Sequence, residues 1–269
     1  MFPKKNIEHA TEKKLVRNLT SPRVSKYKAD KTAKEEFLLA WRCLAVAIEL
    51  LPKVMRDYGP CKTNCPIITL SSDDKNQLLN PALHGTTVQR ANYMKINGIK
   101  DIYPVTTSST AGTGLYFTPN EIIAKGYSKI QKEASKTTLE KSISGLEGIA
   151  NLQFNNISQL RIGKIDSDLL VEVYATSHYK AAIFFEDSKS NNTYNELCKR
   201  YHLDPNNIDV KNLVQLNLRS EYQRAFFNDY LGYDMITWNN TKESSAICVF
   251  YPETIGAKVE KVNVIETIN

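Results

Sequence analysis

The 269-residue chain has no apolar run long enough to cross a bilayer, no internal repeat and no low-complexity tract. The first absence argues against a helical membrane span. The second argues against solenoids and propellers, which announce themselves by self-similarity at a fixed period. The N-terminus Met-Phe-Pro-Lys-Lys-Asn-Ile-Glu-His also lacks the apolar run and small-residue cleavage site of a secretory leader. Cysteine is scarce and odd in number: Cys43, Cys61, Cys65, Cys198 and Cys248 are five in a chain too long to need a disulfide framework, which points to a reducing, cytoplasmic compartment. Cys61 and Cys65 form a C-x3-C pair, but no second pair has ligand spacing and the four histidines are scattered, so no metal site is expected.

With 42% apolar residues the chain can bury a substantial core. The net charge of +6 suits an anionic cofactor or an acidic target and is too small to establish nucleic-acid binding. Much of the basic charge is concentrated in the first thirty-three residues, which read as a solvated arm. No cluster of arginine or lysine interleaved with aromatics supports a nucleic-acid partner. The Asn- and Lys-rich composition suits a bacterial effector or toxin delivered into a host cell.

The most apolar stretch is Thr32 to Tyr58, with Leu44, Ala47, Leu51 and Val54 at helical spacing, interrupted by Glu36, Arg42, Glu49, Pro52 and Lys53. These interruptions predict a helix buried against protein rather than lipid. Asp57-Tyr58-Gly59-Pro60 closes it, giving an expected boundary near residue 60: a basic arm and helical extension over 1–60, and a second module over 61–269.

Chemistry concentrates between Leu83 and Ser128. His84-Gly85-Thr86 precedes a short helical pattern (Val88, Ala91, Met94, Ile96) closed by Gly98. Gly114-Leu115-Tyr116-Phe117-Thr118 reads as a strand, and Pro119 near the next helix start leads to Ala124-Lys125-Gly126-Tyr127-Ser128 within that helix. A flat, amide-bearing ring requires an aromatic face on each side and a backbone donor and acceptor at a residue without Cβ. Tyr116, Tyr127 and Gly85 are of those types, and a histidine beside them can hydrogen-bond ribose hydroxyls.

The order His-Gly-Thr, then two tyrosines eleven residues apart, resembles the His-Tyr-Glu class of ADP-ribosyltransferases, which contains diphtheria-type toxins and poly(ADP-ribose) polymerases. The resemblance implies an α+β fold, a split and mostly antiparallel β-sandwich with surrounding helices and here an N-terminal helical extension. It implies NAD as substrate, a protein acceptor, His84, Gly85, Thr86, Tyr116 and Tyr127 as the cofactor-binding residues, and mono-ADP-ribosyl transfer with release of nicotinamide. The catalytic set would be His84, Tyr116 and a glutamate near the start of a late strand.

That glutamate is where the sequence departs from the pattern. Gly232 to Ile236 and Ser245 to Pro252 read as the closing strand pair, yet strict alignment puts Ser245 or Ala246 at the acidic position. Glu243 in the hairpin turn is the nominee, reachable by a bulge, and Glu253 is the other nearby acid. Without a carboxylate in reach, the same fold is expected either to transfer single ADP-ribose units with the help of a substrate carboxylate or to bind NAD or a partner without chemistry.

Four other segments complete the expectation. Ser128 to Gly148 reads as helical, Gln153 to Ile162 as a loop or short strand, Leu169 to Tyr174 as a central strand, and Ser188 to Asn192 within Asp187–Tyr201 as an exposed loop. Ser220 to Leu231 reads as a helix whose aromatics pack in the core, with Glu172 and Glu221 as strand-face and helix-surface charges.

Overall fold

The structure, a computed structural model, describes residues 31–59, 66–99, 110–135, 146–241 and 244–265. The basic arm to residue 30, Cys61, Cys65 and Glu243 lie outside the described residues. The architecture is α+β, with seven α-helices and two sheets among the described residues.

Helix α1 (Lys31–Tyr58) buries Cys43, Leu44, Val46, Ala47, Leu50 and Val54, an apolar stripe of 3.6-residue period. It packs chiefly on α7 (Ile208–Arg224), beside α5 (Ser167–Glu186) and α6 (Ser188–Arg200), in one shared helical core. The Lys180 ammonium of α5 closes the end of α1 by donating to the Tyr58 and Gly59 carbonyls at 2.8 and 2.5 Å. No described helix is long and apolar enough to cross a membrane.

The five-stranded sheet runs β1 (Ile68–Thr69), β5 (Ile162–Lys164), β6 (Met235–Thr241), β7 (Ser244–Val249), β3 (Leu115–Phe117). The three-stranded sheet runs β2 (Ala82–Thr87), β4 (Glu147–Gln153), β8 (Lys258–Val264). All pairings are antiparallel except β5 with β6. A core holding Ala82, Ala150, Leu152 and Val259 from one sheet, and Phe117, Ile162, Met235 and Ile247 from the other, joins the two. Helices α2 (Ser72–Leu79) and α3 (Val88–Asn97) contribute Leu79, Ala91 and Met94 to that core. Helix α4 (Glu121–Ser135) covers β2 and β4 through a small cluster of Leu83, Ala124 and Ile149.

Several expectations hold at the level of single elements. The long first helix, the helix before Gly98 (φ 79°), the Tyr116 strand leading into α4, and the β6–β7 pair are present. The helix predicted from Ser220 is the end of α7, continued by a π-helical turn at Ala225–Tyr230.

Three differ. Leu169–Tyr174 is helical, part of α5, because Asp166 caps the N-terminus by accepting from the Leu169 amide at 2.8 Å. Buried Leu169, Leu170, Val173, Ser177, Ala181 and Phe184 then follow a helical period that a six-residue window hides. Ser188–Asn192 is not a loop but the start of α6, a polar helix held by Tyr194, Leu197 and Cys198 at i, i+3 and i+4. Helical structure beyond Ser128 is described only as far as Ser135, and Glu147 and Gly148 begin a strand instead, the central one of the smaller sheet.

The helical layer yields a direct test. Leu50 is fully buried between α1 and its neighbours, so Leu50→Ala is expected to lower unfolding free energy by about 2–5 kcal/mol in a denaturant titration.

Candidate functional site

The site is built where the two sheets touch. Leu83 of β2 forms a bridge with Thr118, and the two residues exchange backbone hydrogen bonds of 2.9 and 3.0 Å. On its other side β3 pairs with β7, Phe117 opposite Ile247 and Tyr116 opposite Cys248. The Thr118 hydroxyl donates to the Ser245 carbonyl at 2.9 Å. The His84 strand, the Tyr116 strand and the start of β7 therefore lie side by side. Extending the antiparallel register from the Leu83–Thr118 bridge puts Gly85 across from Tyr116.

His84 is half-buried, and its Nδ1 lies 2.7 Å from the Tyr116 carbonyl. A carbonyl can only accept, so Nδ1 carries the proton and Nε2 presents a bare lone pair. Burial, opposed by the hydrogen bond to the Tyr116 carbonyl and aided by the nearby Arg90 charge, lowers the pKa of His84 to about 4. The imidazole is thus neutral at pH 7, suited to accepting a hydrogen bond and not to carrying charge.

Tyr116 is half-buried and fixed by its own loop. Its hydroxyl donates to the Gly112 carbonyl at 2.6 Å and accepts from the Ala111 amide at 3.0 Å. Its ring meets Trp238 edge to face, with centroids 6.2 Å apart. The loop is docked on α7: the Thr113 amide donates to the Ser220 carbonyl, and Gln223 Nε2 donates to the Thr110 carbonyl at 3.0 Å. Gly112, at φ 93°, allows this approach, since a Cβ there would come within 2.6 Å of the Ser220 carbonyl oxygen.

Gly85 has a packing role that the sequence alone did not reveal. The backbone of α4 runs directly over it, and a Cβ would overlap the Ala124 carbonyl oxygen and come within 2.8 Å of the Ser128 amide nitrogen. Ser128 locks the junction, donating to the Thr86 carbonyl at 2.6 Å and accepting from the Gly148 amide at 2.9 Å. Thr86 is fully buried on β2, and its Oγ1 has no hydrogen-bond partner. Tyr127, the residue before Ser128, is 40% exposed on α4, its ring available to a ligand.

The acids sort differently. Glu243 lies outside the described residues. Glu253 sits in an exposed turn, near Gly98 at the end of α3 and far along β7 from its Ser245 end. Ala246 is buried against the Trp238 side of the sheet. Glu172 is a residue of helix α5 and not of a strand. Glu221 is not a surface charge: it is fully buried and paired with Arg224, whose Nε donates to it at 2.9 Å and whose guanidinium lies 4.4 Å from the Tyr251 ring centroid. Glu-x-x-Arg at i, i+3 on the predicted helix was the available signal for that pair. Among the described residues no group of three His, Cys, Asp or Glu side chains could hold a metal ion.

Comparison with protein-family models, with curated protein sequences and with solved structures finds no match.

Two outcomes follow from this geometry. His84 binds fewer protons folded than unfolded between pH about 4 and the ordinary imidazole value near 6.5. Its contribution to stability is therefore complete above 6.5 and is lost as the pH falls toward 4, and His84→Gln is expected to flatten that part of a stability–pH curve. Ser128→Ala leaves the Gly148 amide and Thr86 carbonyl without this partner and is expected to cost about 2–3 kcal/mol by denaturant unfolding.

Proposed function

We propose that the chain is a mono-ADP-ribosyltransferase of the His-Tyr-Glu type, built on the split sandwich of that class, which moves ADP-ribose from NAD to a side chain of a protein acceptor. The observation that carries this reading is the 2.7 Å contact between His84 Nδ1 and the Tyr116 carbonyl. It ties the histidine strand to the tyrosine strand and leaves the neutral Nε2 free to accept from a ribose hydroxyl. Gly85 across from Tyr116, with the exposed Tyr127 on the helix above, supports a cleft in which two rings flank nicotinamide.

In the reaction the C1′–N1 glycosidic bond breaks, nicotinamide leaves with the bonding electrons, and an acceptor heteroatom forms the new bond to C1′ while losing its proton. Positive charge develops on the ribose, and a fixed carboxylate lowers its energy. Thr118 and Ser245, joined by a 2.9 Å hydrogen bond, put the start of β7 beside the bridge to β2, so an acid entering there from the β6–β7 turn would approach the ribose; Glu243 is the candidate. Ser245 and Ala246 at the strand start favour a second reading, a module that binds NAD or a partner without turnover.

Nicotinamide release from NAD in a cell lysate separates the two. The transferase reading expects release by the wild type, at least a tenfold loss per folded molecule in His84→Ala, more than its loss of stability accounts for, and a loss of about a hundredfold in Glu243→Gln with NAD affinity kept. Tyr127→Ala is expected to weaken NAD binding by about 1 kcal/mol or more. No release by the wild type, with NAD binding retained and Glu243→Gln silent, selects the binding module. Unchanged NAD titration in Tyr127→Ala removes the nicotinamide assignment altogether.

A further inference from the structure

A cavity lies on the flank of α4 that faces β4 and β8. Half open to solvent, it has a volume of about 530 Å³, within the range of about 300–1,000 Å³ usual for small-molecule clefts. Its floor includes Leu83 of β2 and Ile149 of β4, and its wall carries the side-chain amides of Asn151 on β4 and Asn263 on β8. Glu121 and Lys125 of α4 form its rim. Lys125 and Tyr127 are two residues apart on one helix and so point about 200° apart. The cavity therefore belongs to the β4–β8 side of α4, whereas the His84–Tyr116 contact lies on the β3 side.

The polar groups have capacity to spare. Asn263 Nδ2 reaches Asn151 Oδ1 at only 3.4 Å, a weak bond, and each carboxamide has further donor or acceptor positions. A carboxamide pairs in bidentate fashion with the N6/N7 edge of adenine. Pro81, Val264 and Ile265, which also line it and are not buried in the core, supply the apolar surface that a flat base covers. Lys125 is paired to Glu121 at 2.9 Å with half of its side chain exposed, and such a surface pair holds its lysine weakly. The ammonium can turn to an anion at little cost. Strand addition at β8 is disfavoured by its exposed Lys258, Glu260 and Lys261, which blunt that edge.

We propose that this cavity binds a purine nucleotide, its base on the two asparagines and its phosphate on Lys125. The site is separate from the NAD cleft and does not depend on the transferase reading. Isothermal titration of the full chain with AMP, adenosine and inorganic phosphate tests it. Expected are saturable AMP binding, about a tenfold loss of AMP affinity in Asn263→Leu, and no change in His84→Ala. Lys125→Ala, a surface change that leaves folding intact, is expected to weaken AMP severalfold and leave adenosine unaffected. Absence of saturable AMP binding at millimolar ligand overturns the proposal. So does AMP binding that survives both Asn263→Leu and Lys125→Ala, or that His84→Ala abolishes, which would put the nucleotide in the other cleft. Failure of nicotinamide release has no bearing on these titrations, so the two readings fail separately.

Discussion

The close approach of helix α4 to strand β2 is the constraint on which the candidate site depends. A helix backbone can lie on a strand only where a side chain is missing, and Gly85 supplies that gap beneath Ala124 and Ser128. Ser128 then converts proximity into registration, because one hydroxyl joins the Thr86 carbonyl of β2 to the Gly148 amide of β4. Tyr127 on one flank and Lys125 on the other have their positions set by the same contact. Without it, the tyrosine would have no defined relation to the His84 strand.

The second organising feature is the junction between the sheets. The Leu83–Thr118 bridge brings β2 against β3, and the pairing of β3 with β7 extends the row to the hairpin that holds the acidic nominee. Loop 110–114 is anchored on the last turns of α7, where the Glu221–Arg224 pair is buried and the helix passes into a π-helical turn. Tyr116 is thereby tied through Gly112 to the helical layer. In the proposed cleft, such anchoring would reduce the ordering cost of stacking on that ring.

Electrostatics at the centre are quiet. Burial and Arg90 keep His84 uncharged, which leaves it to directional hydrogen bonding such as that to the Tyr116 carbonyl. The Cys248 thiol, on the residue opposite Tyr116 in the β3–β7 pair, is fully buried, and burial raises its pKa far above neutrality, which leaves it unsuited to act as a nucleophile. Under the proposed transfer, the carboxylate that stabilises the developing charge would therefore have to come from the β6–β7 turn.

Legibility in the sequence followed the range of the forces. Strong local signals were readable: the apolar stripe of α1, the glycine stop after α3, the strand-then-helix pattern around Tyr116, and the β6–β7 hairpin. Weak or ambiguous local signals misled: Leu-Leu-Val-Glu-Val-Tyr has strand-like residues but joins a helix, since a cap at Asp166 and the buried face extending to Phe185 outweigh local propensity. The polar segment at Ser188 is helical because three buried side chains tie it to the helical layer.

By itself the sequence determined the residue types of the candidate site, their order and their placement on a strand, a strand and a helix. It could not determine that His84 would meet the Tyr116 carbonyl, that Gly85 would serve helix packing, that Glu221 would be buried with Arg224, or that Asn151 and Asn263 would share a cavity. Each of these except the Glu221–Arg224 pair joins segments tens of residues or more apart. Such contacts are fixed by which strands neighbour one another and which helix covers them, and the burial of a helical residue is likewise set by what packs on it, so tertiary structure alone decided them.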